Sequence, residues 1–466
     1  MLVFLELSNN TLFVYYLISN LVYLGLLITS IVSSAQHQRR LASIRLEGLK
    51  TSPFVPSISL LVPAHNEEAC IADSVRSLLA LDYPEFEVIV VNDGSRDRTL
   101  EVLQSEFQLR ETDILYVPEA PCRPVRGVYM SATEPRLLVV DKESGGSKAD
   151  ATNAALNAAS SQYVCVLDAD AILEPDALIR IMAPMFGGQR VVAAGGIVRA
   201  INGCRVTDGR MAEARLPRGR LETMQVVEYL RAFLIGREGW AYFNLLLIIS
   251  GAFGVFERNL LRQIGGYRPK AIGEDIDLVV RLHRHLREQE EDYRISFVPD
   301  PVCWTEVPPD LRSLASQRAR WQKGIMDVLW KNRDMVFNPR YGRIGMIALP
   351  YHWVWEMLAP VIELVGYSTI IAAALLGVLN RDFFVLFLLF GYAFATLISI
   401  GGVLQEEITY RRYQNWRDVA RLVGYCFLEH FPYRQMHLWW RLKGMWQYLR
   451  GDFHWQPLRR AGFQKT

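Results

Sequence analysis

The chain of 466 residues is longer than one ordinary domain and long enough for a soluble domain plus membrane segments. Apolar residues make up 51% of it and mean hydropathy is slightly positive, so the apolar excess must be concentrated in particular segments. A formal net charge of +2 gives no global reason to expect nucleic acid as a partner, and six cysteines without a CxxC pair argue against a zinc site or a disulfide framework and fit a reducing compartment.

In chain order, the first element is apolar. No Asp, Glu, Lys or Arg occurs between Glu6 and Arg39, and a helix over 11–34 is long enough to cross a bilayer core, which needs about 20 apolar residues. A secretory signal peptide would begin with basic residues and carry a shorter apolar run. Arg39, Arg40, Arg45 and Lys50 all follow the segment, so the positive-inside bias places the next region in the cytoplasm.

From 52 to 338 the pattern changes to short apolar runs alternating with helical stretches. ISLLVPA, FEVIVVND and YVCVLDAD read as strands, and EEACIADSVRSLLAL between the first two reads as a helix. This alternation predicts an α/β domain with a parallel sheet, helices on its faces and the ligand beyond the carboxyl ends of the strands. Each strand ends in a polar cluster: His65-Asn66-Glu67, Asn92-Asp93-Gly94-Ser95 and Asp168-Ala169-Asp170. One such cluster can be a plain turn. Three at successive strand ends are not explained that way, because turns need Gly or Asn rather than repeated carboxylates.

Asp168 and Asp170, two residues apart, are expected on one side of a strand end, where hard oxygen ligands suit Mg²⁺ or Mn²⁺ together with substrate phosphates. No GxxxxGK[ST] loop is present, which argues against a P-loop nucleotidase. Asp93 could accept from a nucleobase N–H, and Lys148, opening the small-residue helix SKADATNAALNAA, could supply charge near phosphates or be a solvated surface lysine. Glu274 and Asp275 precede the helical pattern IDLVVRLHRHL, so they are read either as an acidic helix start or as a general base for an acceptor hydroxyl. Gln317, Arg320 and Trp321 fall at i, i+3 and i+4 of a predicted helix, on one face suited to a diphosphate and a sugar ring.

The C-terminal third is apolar again. A membrane segment is expected over 346–379, broken or kinked by Pro350 and Pro360, then a turn at Asn380-Arg381-Asp382 and a second span over 383–405. Arg411, Arg412, Arg417 and Arg421 mark the return to the cytoplasm. Residues 415–450 are aromatic and basic with Pro432 inside, and are read as interfacial or re-entrant helices with Trp439, Trp440 and Trp446 at the headgroups, followed by a cytoplasmic tail over 451–466.

Over about Pro53 to Lys323 this ordered series resembles the processive family 2 glycosyltransferases, which include cellulose, chitin, hyaluronan and poly-N-acetylglucosamine synthases. The resemblance implies a GT-A-type nucleotide-sugar-binding domain inserted between transmembrane helices, with amphipathic interface helices at about 223–247 and 312–336. It places His65 and Glu67 in the first nucleotide-binding motif and Asp93 on the base. Lys148 and Asp168 join the donor site, Asp168 and Asp170 form the DxD metal motif with Asp170 favoured as the direct ligand, and Glu274-Asp275 is the base motif with Asp275 as the base. Gln317, Arg320 and Trp321 match QxxRW, which separates polymerising members from single-transfer enzymes. Ser250 and Gly251 of ISGAFGVF resemble the acceptor-side loop of N-acetylglucosamine-using members. The implied activity is inverting, processive polymerisation of UDP-N-acetylglucosamine, or next UDP-glucose, into a β-linked exopolysaccharide at a bacterial inner membrane with the catalytic domain cytoplasmic. Implied partners are the UDP-sugar, the growing polysaccharide, membrane lipid, and a second copy or accessory secretion subunit, because the spans are fewer than in many synthases. HWQPLRRAGF departs from the Trp-Gly pattern of some relatives, and no PilZ-like RxxxR appendage follows. The alternatives are a non-processive transferase making a lipid-linked sugar and an inert membrane scaffold. The scaffold should have lost one of Asp93, Asp168, Asp170 and Asp275, and all four are present.

Overall fold

The computed structural model describes residues 2–43, 46–50, 52, 54–112, 116–207, 210–413 and 415–453; HWQPLRRAGF and the rest of the expected tail beyond Phe453 lie outside the described residues. The chain divides into two compact units. Among the described residues, one comprises those up to Ser33, Arg218–Tyr242 and those from Pro308 onward; the other comprises those from Ser34 to Pro217 and Phe243–Val307.

The second unit is built on a ten-stranded sheet. Its strands are β1 (Ile58–Ala64), β2 (Phe86–Asp93), β3 (Leu109–Glu111), β4 (Val125–Ser131), β5 (Leu137–Lys142), β6 (Tyr163–Leu167), β7 (Ile172–Leu173), β8 (Val191–Ala200), β11 (Phe253–Glu257) and β12 (Arg294–Thr305), with β9 (Arg205–Thr207) and β10 (Arg210–Glu213) forming a separate hairpin. The order is β3-β4-β5-β2-β1-β6-β11-β8-β12-β7. The central runs are β-branched and buried on both faces, as expected of strands covered by helices.

The expected parallel sheet holds for β5, β2, β1 and β6 but not for the whole. β11 runs antiparallel between β6 and β8, and β3, β4 and β7 are antiparallel additions at the edges, so the sheet is mixed. This reversal has a consequence for the site. Parallel pairing aligns Ala64 with Asn92 and Asp93 with Lys142, so β1, β2 and β5 end at one rim. Antiparallel pairing sets Phe253, at the start of β11, opposite Leu167, at the end of β6. The loop entering β11 and the loop leaving β6 therefore meet at that same rim.

Asn10–Ala42, of which the part up to Ser33 belongs to the other unit, and Phe384–Thr409 are long and apolar enough to cross a membrane, and Ile344–Met357 with Ala359–Leu375 forms a pair bent by 47°. Large apolar side chains on these helices face outward, among them Leu21, Ile28, Leu386, Leu389 and Ile408, a pattern that water penalises and lipid does not. The bend falls at Leu358, with Pro360 at the start of the following helix, where its missing N–H removes no intrahelical bond; Pro350 lies within a helical stretch. The expected turn at Asn380-Arg381-Asp382 is displaced: Arg381 and Asp382 already belong to helix Arg381–Thr409. Gly377, at φ +69°, closes the preceding helix in the left-handed conformation instead. Residues 220–242 are helical, but Phe243–Leu247 is not, so the expected helix over 223–247 is cut short. Helices Trp416–Leu428 and Arg434–Leu449 are separated at Phe431, whose backbone is extended before Pro432. Gly444 lets Arg434–Leu449 lie against Leu311–Lys331: a Cβ there would sit 2.5 Å from the Ala319 carbonyl oxygen.

Candidate active site

The ends of β1, β2, β5 and β6 supply the rim. Asp93 is the last residue of β2 and Lys142 the last of β5, side by side in register. Gly94 follows at φ +60°, and a Cβ on it would lie 2.7 Å from the Ser144 amide, so the Asn-Asp-Gly turn needs glycine for both conformation and space. Asp93 is 5% exposed; its Oδ1 accepts from Lys142 Nζ at 2.6 Å and from the Gly145 amide at 2.9 Å. His65 is exposed beside it, with Nδ1 2.8 Å from the Asp93 carbonyl oxygen. The backbone N–H of Asn66 donates to Ser95 Oγ at 3.0 Å, tying the first cluster to the second, and that of Glu67 donates to Thr99 Oγ1 at 2.9 Å.

The Asp168-Ala169-Asp170 segment lies past the end of β6 at Leu167, in a turn where the Ala171 amide donates to the Asp168 carbonyl at 3.0 Å. The expectation that strand alternation puts both carboxylates on one side therefore does not apply, since the alternation ends with the strand. Asp168 is half-buried and Asp170 is buried.

Lys148 is not a solvated surface lysine. It opens helix Lys148–Ala158, capped by Ser147, and buried Ala149, Ala151, Ala154 and Ala155 let that helix pack on β1 and β2. Its Nζ donates to Asp168 Oδ1 at 2.5 Å and to the Gly251 carbonyl at 2.7 Å. The Gly251 amide in turn donates to Asp275 Oδ2 at 3.0 Å. A Cβ on Gly251 would run into the Asp275 carboxylate, so this approach requires glycine. Asp168, Lys148, Gly251 and Asp275 thus form one continuous chain of hydrogen bonds. Burial alone would lower the Lys148 pKa, but Asp168, Asp275 and Glu274 together outweigh it and hold the ammonium above its ordinary value.

Glu274 and Asp275 are both half-buried in the first turn of helix Glu274–Glu288, where the macrodipole favours carboxylates. Asp277 in the same turn has a different environment. It is buried and bonded to Arg281 at 2.8 Å and Arg268 at 3.1 Å, which makes it a packing residue. Ser250 precedes Gly251 and is half-buried.

In the other unit, Gln317, Arg320 and Trp321 lie on helix Leu311–Lys331. Trp321 is 42% exposed, whereas Gln317 and Arg320 are half-buried. The residue between them, Arg318, is buried: it donates to Glu228 at 2.8 Å and lies 4.1 Å from the centroid of the Trp321 ring. Tyr433 also donates to Glu228, at 2.8 Å. Burial would raise the Glu228 pKa, but Arg318 above all holds it below the ordinary value.

Periodicity on the helix did not single out Arg318, and the strand pattern did not single out Lys142. Lys142 is fully buried. The available signal was a lysine closing the apolar run LLVVDK, a position where an unpaired charge would be very costly.

Residues 59–121 match the family described as Glycosyl transferase family 2, and residues 125–324 match Glycosyltransferase like family 2. The chain is 27% identical over 386 residues to a poly-beta-1,6-N-acetyl-D-glucosamine synthase of Staphylococcus epidermidis, covering 81% of this chain and 80% of that protein. It is 28% identical over 303 residues to the protein of the same name from Staphylococcus aureus strain COL, covering 65% and 62%. Among solved structures, it is similar in fold to mannosyltransferase PcManGT from Pyrobaculum calidifontis in complex with GDP-Man and Mn²⁺ (TM-score 0.51, 19% identity, 87% of this chain and 99% of that one).

Proposed function

The chain belongs to the family 2 glycosyltransferases, with polysaccharide synthases among its relatives, and from that premise we propose that it is a processive, inverting synthase. It polymerises a UDP-sugar, UDP-N-acetylglucosamine in preference to UDP-glucose, into a β-linked exopolysaccharide at the cytoplasmic face of a membrane. The observation that carries this reading is the hydrogen-bonded chain Asp168–Lys148–Gly251–Asp275, which joins the donor-phosphate side of the rim to a carboxylate suited to proton removal.

In this reading Asp93 receives the base N–H, with His65 and Glu67 beside it. Lys148 neutralises charge on the leaving diphosphate. Asp275 takes the proton of the acceptor hydroxyl while that oxygen forms its bond to the anomeric carbon and the bond to the UDP oxygen breaks on the opposite face. Glu274 supports the base, and Ser250 and Gly251 border the acceptor. Gln317 and Arg320 bind diphosphate or acceptor, and Trp321 offers its exposed ring to the terminal sugar.

Among the described residues no cluster of three or more His, Cys, Asp or Glu is arranged to hold a metal ion. Asp168 and Asp170 nonetheless fit Mg²⁺ or Mn²⁺ as a two-carboxylate donor set that a substrate diphosphate would complete. Such an ion, when bound, supplies Lewis-acid stabilisation of the departing diphosphate. The Mn²⁺ in the similar mannosyltransferase supports a divalent cofactor. The two long apolar helices, the bent pair and the basic residues after the first support an integral membrane protein with a cytoplasmic catalytic unit.

The test is product sizing. Detergent-purified protein with Mn²⁺ and UDP-N-acetylglucosamine should give long polymer, and Trp321→Ala should shorten it. Lipid-linked monosaccharide alone, unchanged by Trp321→Ala, would replace processive synthesis with the single-transfer reading.

A further inference from the structure

The ammonium of Lys142 is fully buried and donates three hydrogen bonds, its whole capacity: to Asp93 Oδ1 at 2.6 Å, to the Glu143 carbonyl at 2.6 Å, and in an ion pair to Asp150 Oδ1 at 2.5 Å. Asp150 is held in turn by the Arg123 amide at 3.1 Å from Oδ2, and it sits in the first turn of helix Lys148–Ala158. Lys142 is therefore fixed from two sides, and it cannot reach a ligand.

Its effect falls on Asp93. Oδ1 already accepts two hydrogen bonds, from Lys142 and from the Gly145 amide, and these occupy its two lone pairs. Among the described residues no hydrogen bond falls on Oδ2, and the side chain keeps 7% exposure. Asp93 thus offers a ligand one acceptor oxygen rather than two. Uracil presents a single ring N–H flanked by carbonyls and needs one. Guanine presents two adjacent donors, the ring N1–H and the 2-amino group, and needs both oxygens of a carboxylate.

We propose that Lys142 is a specificity-determining residue, which selects uridine over guanosine nucleotides by restricting Asp93 to monodentate recognition. The proposal rests on Asp93 being the base contact. Guanine bound here leaves a donor unpaired in a desolvated site, which corresponds to roughly a ten- to hundredfold loss of affinity.

The experiment measures dissociation constants of nucleoside diphosphates for the full-length protein in detergent with Mn²⁺. For the unaltered protein, UDP should bind roughly ten- to hundredfold tighter than GDP. IDP, which lacks only the 2-amino group, should bind about tenfold tighter than GDP. GDP binding tighter than IDP would overturn the proposal without any variant. Lys142→Met/Asp150→Asn removes the ammonium together with one of its two carboxylates, so the net charge of the cluster is unchanged. It should shrink the UDP-to-GDP ratio by about tenfold, whereas Asp150→Asn alone keeps the ratio. A purely structural role would weaken both nucleotides equally and leave the ratio unchanged, which overturns the inference. Asp93→Asn separates the premise: undiminished UDP affinity in that variant removes Asp93 from the base site, whereas reduced UDP affinity with an unchanged ratio in the double variant removes only Lys142.

Discussion

The sheet rim and helix Leu311–Lys331 carry two parts of the proposed chemistry, and they hold their residues by different means. At the rim, strand register decides which residues meet, and backbone groups such as the Gly251 carbonyl and amide link the charged side chains. On the helix, the motif residues share a face, while a neighbour that belongs to none of the expected roles, Arg318, is buried in an ion pair with Glu228. The difference is one of division of labour. Rim carboxylates such as Asp275 are half-buried and can be altered chemically with the sheet left intact. The QRARW segment mixes presentation with packing, so substitutions one residue apart should have unlike consequences.

The largest expected effect is at the rim. Asp275→Asn keeps the shape and the acceptor for the Gly251 amide but removes the proposed base, so turnover should fall about 10²- to 10⁴-fold. Affinity for the UDP-sugar should be retained, and a binding isotherm beside a turnover assay checks both. Undiminished turnover would remove Asp275 from the base role. Next is Arg318→Leu, which leaves the half-buried Glu228 carboxylate with Tyr433 but without its cation and should cost up to about 3–5 kcal/mol in a detergent melt. Arg320→Leu should change stability by well under half of that and act on polymer yield instead. Equal destabilisation by the two would erase the distinction between packing and presentation on this helix. Gly444→Val comes third: its Cβ meets backbone, which cannot rotate aside, so a loss of about 1–3 kcal/mol is expected with rim chemistry unchanged.

How far the sequence could be read follows the same division. β1 and β2 coincide with the runs ISLLVPA and FEVIVVND, because short apolar runs bounded by polar clusters have few alternatives. The rim clusters were visible for the same reason. The antiparallel insertion of β11 was not, since FGVFE reads alike in either direction and only the crossover decides its orientation. That insertion is what brings Gly251 between Lys148 and Asp275, so the central contact of the site was hidden although each of its residues was legible. Lys142 and Arg318 were hidden differently: a buried charge shows itself only with its partners, and Asp93 lies 49 residues from Lys142 while Glu228 lies 90 from Arg318. The turn after Gly377 was misplaced because an acidic residue, Asp382, suits a loop and a first helical turn equally well.

The smallest effects are expected at the helix caps, where the same lesion can be made in both regions. Asp310 caps helix Leu311–Lys331 by accepting two bonds at its Oδ1, from the Arg312 amide at 3.0 Å and the Ser313 amide at 2.9 Å. Ser147 caps helix Lys148–Ala158 with one longer bond, from the Asp150 amide at 3.3 Å. Loss of a cap costs about 0.5–2 kcal/mol, so Asp310→Ala should lie near 1 kcal/mol and Ser147→Ala near the lower bound. Function should rank the other way. Asp310 supports a helix whose Trp321 is already held against Arg318, and its loss should leave the KM for the UDP-sugar unchanged. Ser147 immediately precedes Lys148, and fraying there loosens the ammonium from Asp168 and Gly251, so KM should rise a few-fold despite the smaller change in stability. If KM instead followed melting temperature in both variants, the rim would be no more than another packed surface, and the chain from Asp168 to Asp275 would lose its standing as the place where donor and base are joined.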